Sequence, residues 1–142
     1  HETSALALAW TLDFIARDRQ LQRDIFDEIA QHAASSRVTL RECEQMPLLR
    51  AVIDESLRLR APIWAVARNV VERDEIMGRE IAAGAIAVPA PYLIHRHPDF
   101  WEQPEVFRPA RFLGAGPKHE YAYLPFSRGP RMCIGAAFAL YE

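Results

Sequence analysis

Long apolar runs are missing from this chain. None approaches the ~18 consecutive apolar residues of a membrane-spanning helix, so no stretch is read as a span. Cysteine is scarce: Cys43 and Cys133 stand alone, without metal-type spacing between them. A disulfide between them stays open, but nothing else resembles a secreted, cross-linked scaffold. Lysine is scarcer still, Lys118 being the single one, while arginine is abundant. That bias suggests a GC-rich bacterial source and, with no visible leader, a cytoplasmic location. The net charge of −2 does not suggest a general nucleic-acid or anionic-membrane surface. Internal repeats, low-complexity segments, phosphate-cradling glycine motifs and any flavin or nicotinamide fingerprint are also missing.

What is present is an ordinary globular composition, 50% apolar and 25% charged, in 142 residues, enough for one domain with a core. The first residue is His1 rather than Met, and the last, Glu142, falls inside a helical pattern. Residues 1–142 are therefore expected to be a single partial domain of a longer protein, whose N-terminal part could carry a membrane anchor.

The most informative stretch is residues 126–135, F-S-R-G-P-R-M-C-I-G. It sets Cys133 just before a helix-like run at residues 136–142. Unpaired backbone N–H groups and the positive end of the macrodipole there favour a thiolate. Gly129 and Gly135 let the loop turn tightly and its backbone approach a flat ligand. Arg131 is a fixed cation able to hold a carboxylate bidentately, and Phe126 is an apolar lid for the sulfur. A shielded thiolate beside a carboxylate clamp is what a haem iron with propionate arms needs. A lone cysteine in an apolar segment can also be a buried small hydrophobe.

Along the chain, helical spacing begins near His1, with Leu8, Leu12 and Ile15 on one stripe and Trp10 and Phe14 beside it. Glu2, Thr3 and Ser4 read locally as a helix start or N-cap. A second helix is expected over residues 20–34, with Leu21, Ile25, Ile29 and Phe26 inward and Arg23, Asp24, Asp27 and Glu28 solvated. His32 is expected at the surface and residues 35–39 as a loop. A third helix starts at Met46-Pro47 and buries Leu48, Leu49, Val52, Ile53, Ser56 and Leu57. Strands are expected at residues 65–71, 75–81 and 85–88. His95 and His97 suit local hydrogen bonds better than a metal, since no cysteine or carboxylate completes a set. Pro98, Pro104, Pro109, Pro117 and Pro125 then punctuate an aromatic-rich, irregular stretch. The fold class is thus mainly α, with a small antiparallel β-region and a long irregular meander.

The pattern Phe126-x-x-Gly129-x-Arg131-x-Cys133-x-Gly135 resembles in full the haem-binding signature of the cytochromes P-450, the haem-thiolate monooxygenases. Three further matches follow in family order. His1-Glu2-Thr3-Ser4 is similar to the oxygen-activating motif, Glu55-x-x-Arg58 to the family's E-x-x-R, and Pro109-x-Arg111-Phe112 to the segment that completes its triad. The departures, Ala82 for a common proline and Ala110 for a common glutamate, touch none of the expected chemistry.

The resemblance implies a partial cytochrome P-450 fold binding haem b (iron protoporphyrin IX), with Cys133 as proximal iron ligand and Arg131 and Arg68 on the propionates. Thr3 would hydrogen-bond dioxygen, with Glu2 relaying protons. Glu55, Arg58 and Arg111 would lock the fold under the haem. The implied reaction inserts one oxygen atom from O2 into an apolar organic substrate, using electrons from a reductase or ferredoxin, and no nucleic acid is involved. The rival classes are a haem-thiolate isomerase or dehydratase, against which Glu2-Thr3 argues, and a non-catalytic haem-binding relative.

Overall fold

The computed structural model describes residues 1–33, 35, 37–114 and 116–142. Six helices run in order: α1 (Glu2–Ala16), α2 (Arg19–His32), α3 (Leu40–Cys43), α4 (Pro47–Leu59), α5 (Pro91–Ile94) and α6 (Ala136–Tyr141). Between α4 and α5 lie four short strands, β1 (Arg68–Asn69), β2 (Asp74–Ile76), β3 (Arg79–Ile81) and β4 (Ile86–Ala87). From α5 to α6 the chain is irregular apart from two 3-10 turns, Pro109–Phe112 and Gly129–Arg131.

Helix α4 is the centre of the molecule, and its sequence explains why. Pro47 opens it without losing a hydrogen bond, and every residue from Asp54 to Leu59 is buried. Helices α1 and α2 and the Pro109–Phe112 turn all pack on it. The start of α4 is capped from outside: Glu28 of α2 accepts from the backbone N–H of Leu48 and of Leu49, both at 2.8 Å. One carboxylate thus satisfies two orphan donors and meets the positive helix end. Glu28 is not part of a solvated face, as its neighbours in α2 had suggested.

Other expectations shift in detail. Helix α2 starts earlier because the Asp18 side chain accepts from Gln20 and Leu21 N–H, a standard N-cap, and Phe26 on it is exposed. His32 is half-buried rather than at the surface. Helix α1 buries Thr11 and leaves Leu8 and Leu12 exposed, since apolar residues surround it and one stripe does not define its inner face. Phe14 stacks on Phe107 with centroids 4.3 Å apart, which ties α1 to the meander. Helix α3, unexpected from sequence, is one turn held by a Thr39–Glu42 capping box. Part of the loop expected at residues 35–39, Ser36, lies outside the described residues.

The β-region is antiparallel and smaller than expected. β1 pairs with β4, Arg68 opposite Ala87. The stretch expected as one strand at residues 75–81 is a separate hairpin of β2 and β3. Its turn is Met77-Gly78, at φ 53° and 75°, where glycine relieves the left-handed geometry.

Candidate functional site

An ion-pair cluster fixes α4, the helix whose Leu57 is part of the site's wall. The Glu55 carboxylate accepts from Arg58 Nε at 2.7 Å and Nη2 at 2.8 Å, from the Arg108 backbone N–H at 2.8 Å, and from Arg111 Nε at 3.1 Å. The remaining Arg58 donors reach the carbonyls of His95 and Pro104 at 2.7 Å and of Val106 at 3.3 Å. Arg111 does the same with Glu102, Gln103 and Val106. Glu55 and Arg58 have no solvent exposure. Burial of such charges is costly, and here every carboxylate oxygen is used. Arg58 also lies 5.0 Å from the Trp101 ring centroid. The three residues Glu55, Arg58 and Arg111 are brought together as their motifs suggested, and they staple α4 to the meander.

Two members of this core were not foreseen. His95 is fully buried. Its Nε2 accepts from the Leu124 N–H at 2.8 Å, so Nδ1 carries the proton, donated to the Arg58 carbonyl at 3.2 Å. Burial, with the Arg58 and Arg96 charges adding, lowers its pKa from 6.5 to about 4, the Arg58 carbonyl bond opposing. Tyr123 places its hydroxyl 2.9 Å from the Asp54 carbonyl and 3.0 Å from Asp54 Oδ1. Burial, then the Asp54 carboxylate, raises the Tyr123 pKa well above 10.0. The available signal was that His95 ends an apolar run, Tyr92-Leu93-Ile94, in place of a core residue. The partners are distant in sequence, and local spacing does not show them. Among the described residues no group of three or more His, Cys, Asp or Glu side chains could hold a metal ion.

A cavity of about 260 Å3 borders α4. Thr3 and Ser4 of α1, Leu57 of α4, Phe126, Arg131 and Cys133 all contribute to its wall. The cysteine loop is shaped by its own backbone. Ser127 and Gly129 sit at φ 62° and 75°, and the Cys133 N–H donates to the Phe126 carbonyl at 2.9 Å. Gly135 is the N-cap of α6. A Cβ built on it would stand 3.9 Å from Cys133 Sγ, in ordinary contact. Cys133 is a free, exposed thiol, and Cys43 is free as well, so no disulfide joins them.

Thr3, Phe126, Arg131 and Cys133 therefore share one cavity, although Thr3 and Cys133 are far apart in the chain. Glu2 is in the first turn of α1, exposed and outside the cavity wall. Arg68 is also outside it, on β1, with Nη1 donating to the Ala67 carbonyl at 2.9 Å. No described carboxylate pairs with Arg131 or Arg68.

The cytochrome P450 family model matches residues 1–142. The chain belongs to the cytochrome P450 family. Mouse cytochrome P450 4V2 is 37% identical over all of this chain and 28% of its own length. Cytochrome P450 4d2 of Drosophila melanogaster is 38% identical over all of this chain and 29% of its own. Among solved structures, a retinoic acid-bound cyanobacterial CYP120A1 superposes with a TM-score of 0.90 at 28% identity, covering 98% of this chain and 33% of that one. A zebrafish cytochrome P450 with abiraterone gives 0.87 at 29% identity, covering 98% and 34%. The chain thus spans less than a third of the curated relatives it matches.

The P450 cofactor is haem, and the residues here fit it. A free thiol, on a loop held by the Cys133 N–H to Phe126 carbonyl bond, lines a largely apolar cavity. The same wall carries the Arg131 guanidinium, which has no carboxylate partner among the described residues. An iron centre with an apolar macrocycle and acidic arms matches that donor set. The fold class also agrees with P450 structures, a mainly helical chain with small antiparallel sheets. The bacterial source and cytoplasmic location suggested by the arginine bias find no support, the curated relatives named here being animal proteins. Among the described residues no helix is long and apolar enough to cross a membrane.

Proposed function

We propose that this chain is the haem-binding portion of a P450 monooxygenase, which inserts one oxygen atom from O2 into an apolar organic substrate. The reading rests on one observation: the Thr3 hydroxyl-bearing side chain and the Cys133 thiol line the same cavity. Thiolate-ligated haem, when bound, supplies the centre at which dioxygen is reduced, and the sulfur's electron density favours O–O cleavage. A reductase or ferredoxin supplies the electrons.

The chain's own residues then have defined tasks. Cys133 would hold the haem iron, on a loop shaped by the Phe126 carbonyl bond and by the left-handed turns at Ser127 and Gly129. Arg131, exposed on the cavity wall, would take one propionate, and Arg68, on β1 outside that wall, would take the other. Phe126 keeps water from the sulfur. Thr3 offers a hydroxyl that both donates and accepts, on a cavity wall that also carries Leu57, Ile63 and Val66. Glu2, one residue earlier and exposed, takes protons from solvent and passes them inward. Those aliphatic walls suit an apolar substrate. The supporting cluster of Glu55, Arg58 and Arg111 has a folding role.

Thr3→Ala in the full-length protein tests the assignment. With proton delivery impaired, electrons should leave as peroxide and product formed per electron should fall. Unchanged coupling counts against the assignment, whereas product formed with no electron donor present would favour a haem-thiolate isomerase or dehydratase.

A further inference from the structure

We infer that His95 is a positioning residue for the cysteine loop, tying the backbone that leads into the Cys133 turn to the buried end of α4. The inference rests on the reading of Cys133 as haem ligand. His95 bridges two backbones with one ring: Nδ1–H reaches the Arg58 carbonyl at 3.2 Å and Nε2 receives the Leu124 N–H at 2.8 Å. Its own backbone is held at both ends, N–H to the Pro91 carbonyl at 2.8 Å and carbonyl to Arg58 Nη1 at 2.7 Å. Tyr123 lies against the ring, centroids 5.3 Å apart. The imidazole has no freedom to follow Leu124 if that segment moves.

From Leu124 the path to the sulfur is short and stiff. Pro125 has no N–H and a fixed φ, so the Leu124 amide is the last donor anchored to the core before the turn. The Ser127 N–H closes back on the Leu124 carbonyl at 3.2 Å, and Phe126 then accepts the Cys133 N–H at 2.9 Å. Leu124, Pro125, Phe126 and Cys133 all line the cavity, while His95 does not. The ring therefore acts on the sulfur only through this backbone. A neutral imidazole suits the task because it offers one donor and one acceptor at opposite edges of a rigid plane.

The test uses the full-length, haem-loaded protein with His95→Leu and His95→Gln. Leucine keeps bulk and removes both bonds. Glutamine retains a donor and an acceptor on one amide. Two readouts are taken well below the melting temperature: hydrogen exchange at the Leu124 and Cys133 amides, and the fraction of reduced, CO-bound haem showing the thiolate-shifted Soret band. Expected for His95→Leu are exchange faster by about tenfold or more at both amides and a reduced thiolate fraction, with α4 amides unchanged. His95→Gln should restore much of both. A folded His95→Leu protein with wild-type exchange and thiolate fraction overturns the inference, because a merely structural role moves only the melting temperature. If His95→Leu does not fold, the wild type decides: a Leu124 amide protected like those of α4 supports the tether, and one exchanging as fast as the Met77-Gly78 turn refutes it. A wild-type spectrum without the thiolate shift defeats the ligand assignment itself, which separates the two failures.

Discussion

Replacing Glu55 by glutamine should remove a large part of the protein's stability while leaving its shape almost unchanged. The carboxylate accepts four hydrogen bonds, three from guanidinium N–H groups of Arg58 and Arg111 and one from the Arg108 backbone. The Arg58–Glu55 pair is wholly inaccessible, and the Arg111 side chain is 7% exposed. Glutamine cancels the charge and turns one acceptor into a pair of donors facing other donors. Breaking a buried pair in this way costs about 3–5 kcal/mol, against a typical total of about 5–15 kcal/mol. The carbonyls around Arg58 and Arg111 remain, and they place the expected loss toward the lower end. Urea unfolding monitored by circular dichroism should show a lower midpoint at unchanged slope. Arg17→Ala is the control: it breaks the exposed Arg17–Asp13 pair, which contributes about 0–1 kcal/mol. A double variant, Glu55→Leu with Arg58→Met, should be less destabilised than the two single losses added together. A Glu55→Gln protein as stable as Arg17→Ala would refute the view that this cluster holds the fold.

Further outcomes follow from other contacts. His95 is neutral when folded, with its pKa lowered to about 4 from 6.5, so the unfolded state binds more protons between those values. Stability from this group is present above pH 6.5 and lost as pH falls toward 4, roughly 3 kcal/mol in all. Unfolding measured from pH 7.5 to 4 should therefore be less steep in pH for His95→Gln than for wild type, and parallel curves would contradict the shift. Glu28→Ala uncaps α4 at Leu48 and Leu49 and should cost about 0.5–2 kcal/mol by the same unfolding assay.

What could be read from the sequence divides by range. Pro47 and the i, i+3, i+4 spacing that follows it are local signals, and α4 lies where they put it. The cysteine loop was legible because glycine, arginine and cysteine at fixed offsets constrain backbone and charge together. Glu55, Arg58 and Arg111 were legible only through family motifs, since nothing local pairs residues 55 and 111. Glu28 looked like surface because its partners are backbone N–H groups that have no sequence signature. His95 was missed for the same reason, its partners being the Arg58 carbonyl and the Leu124 amide. The hairpin at Met77-Gly78 escaped because neither strand exceeds three residues. Bringing Thr3 and Cys133 to one cavity needs the packing of α1 on α4, which no periodicity states.

The most direct measurement is the absorption spectrum of the reduced, CO-bound, full-length protein, alongside Cys133→Ser. Thiolate ligation gives a strongly red-shifted Soret band in the wild type and its loss when the sulfur is replaced by oxygen. A wild type without that shift, or a serine variant that keeps it together with turnover, would contradict Cys133 as the iron's ligand.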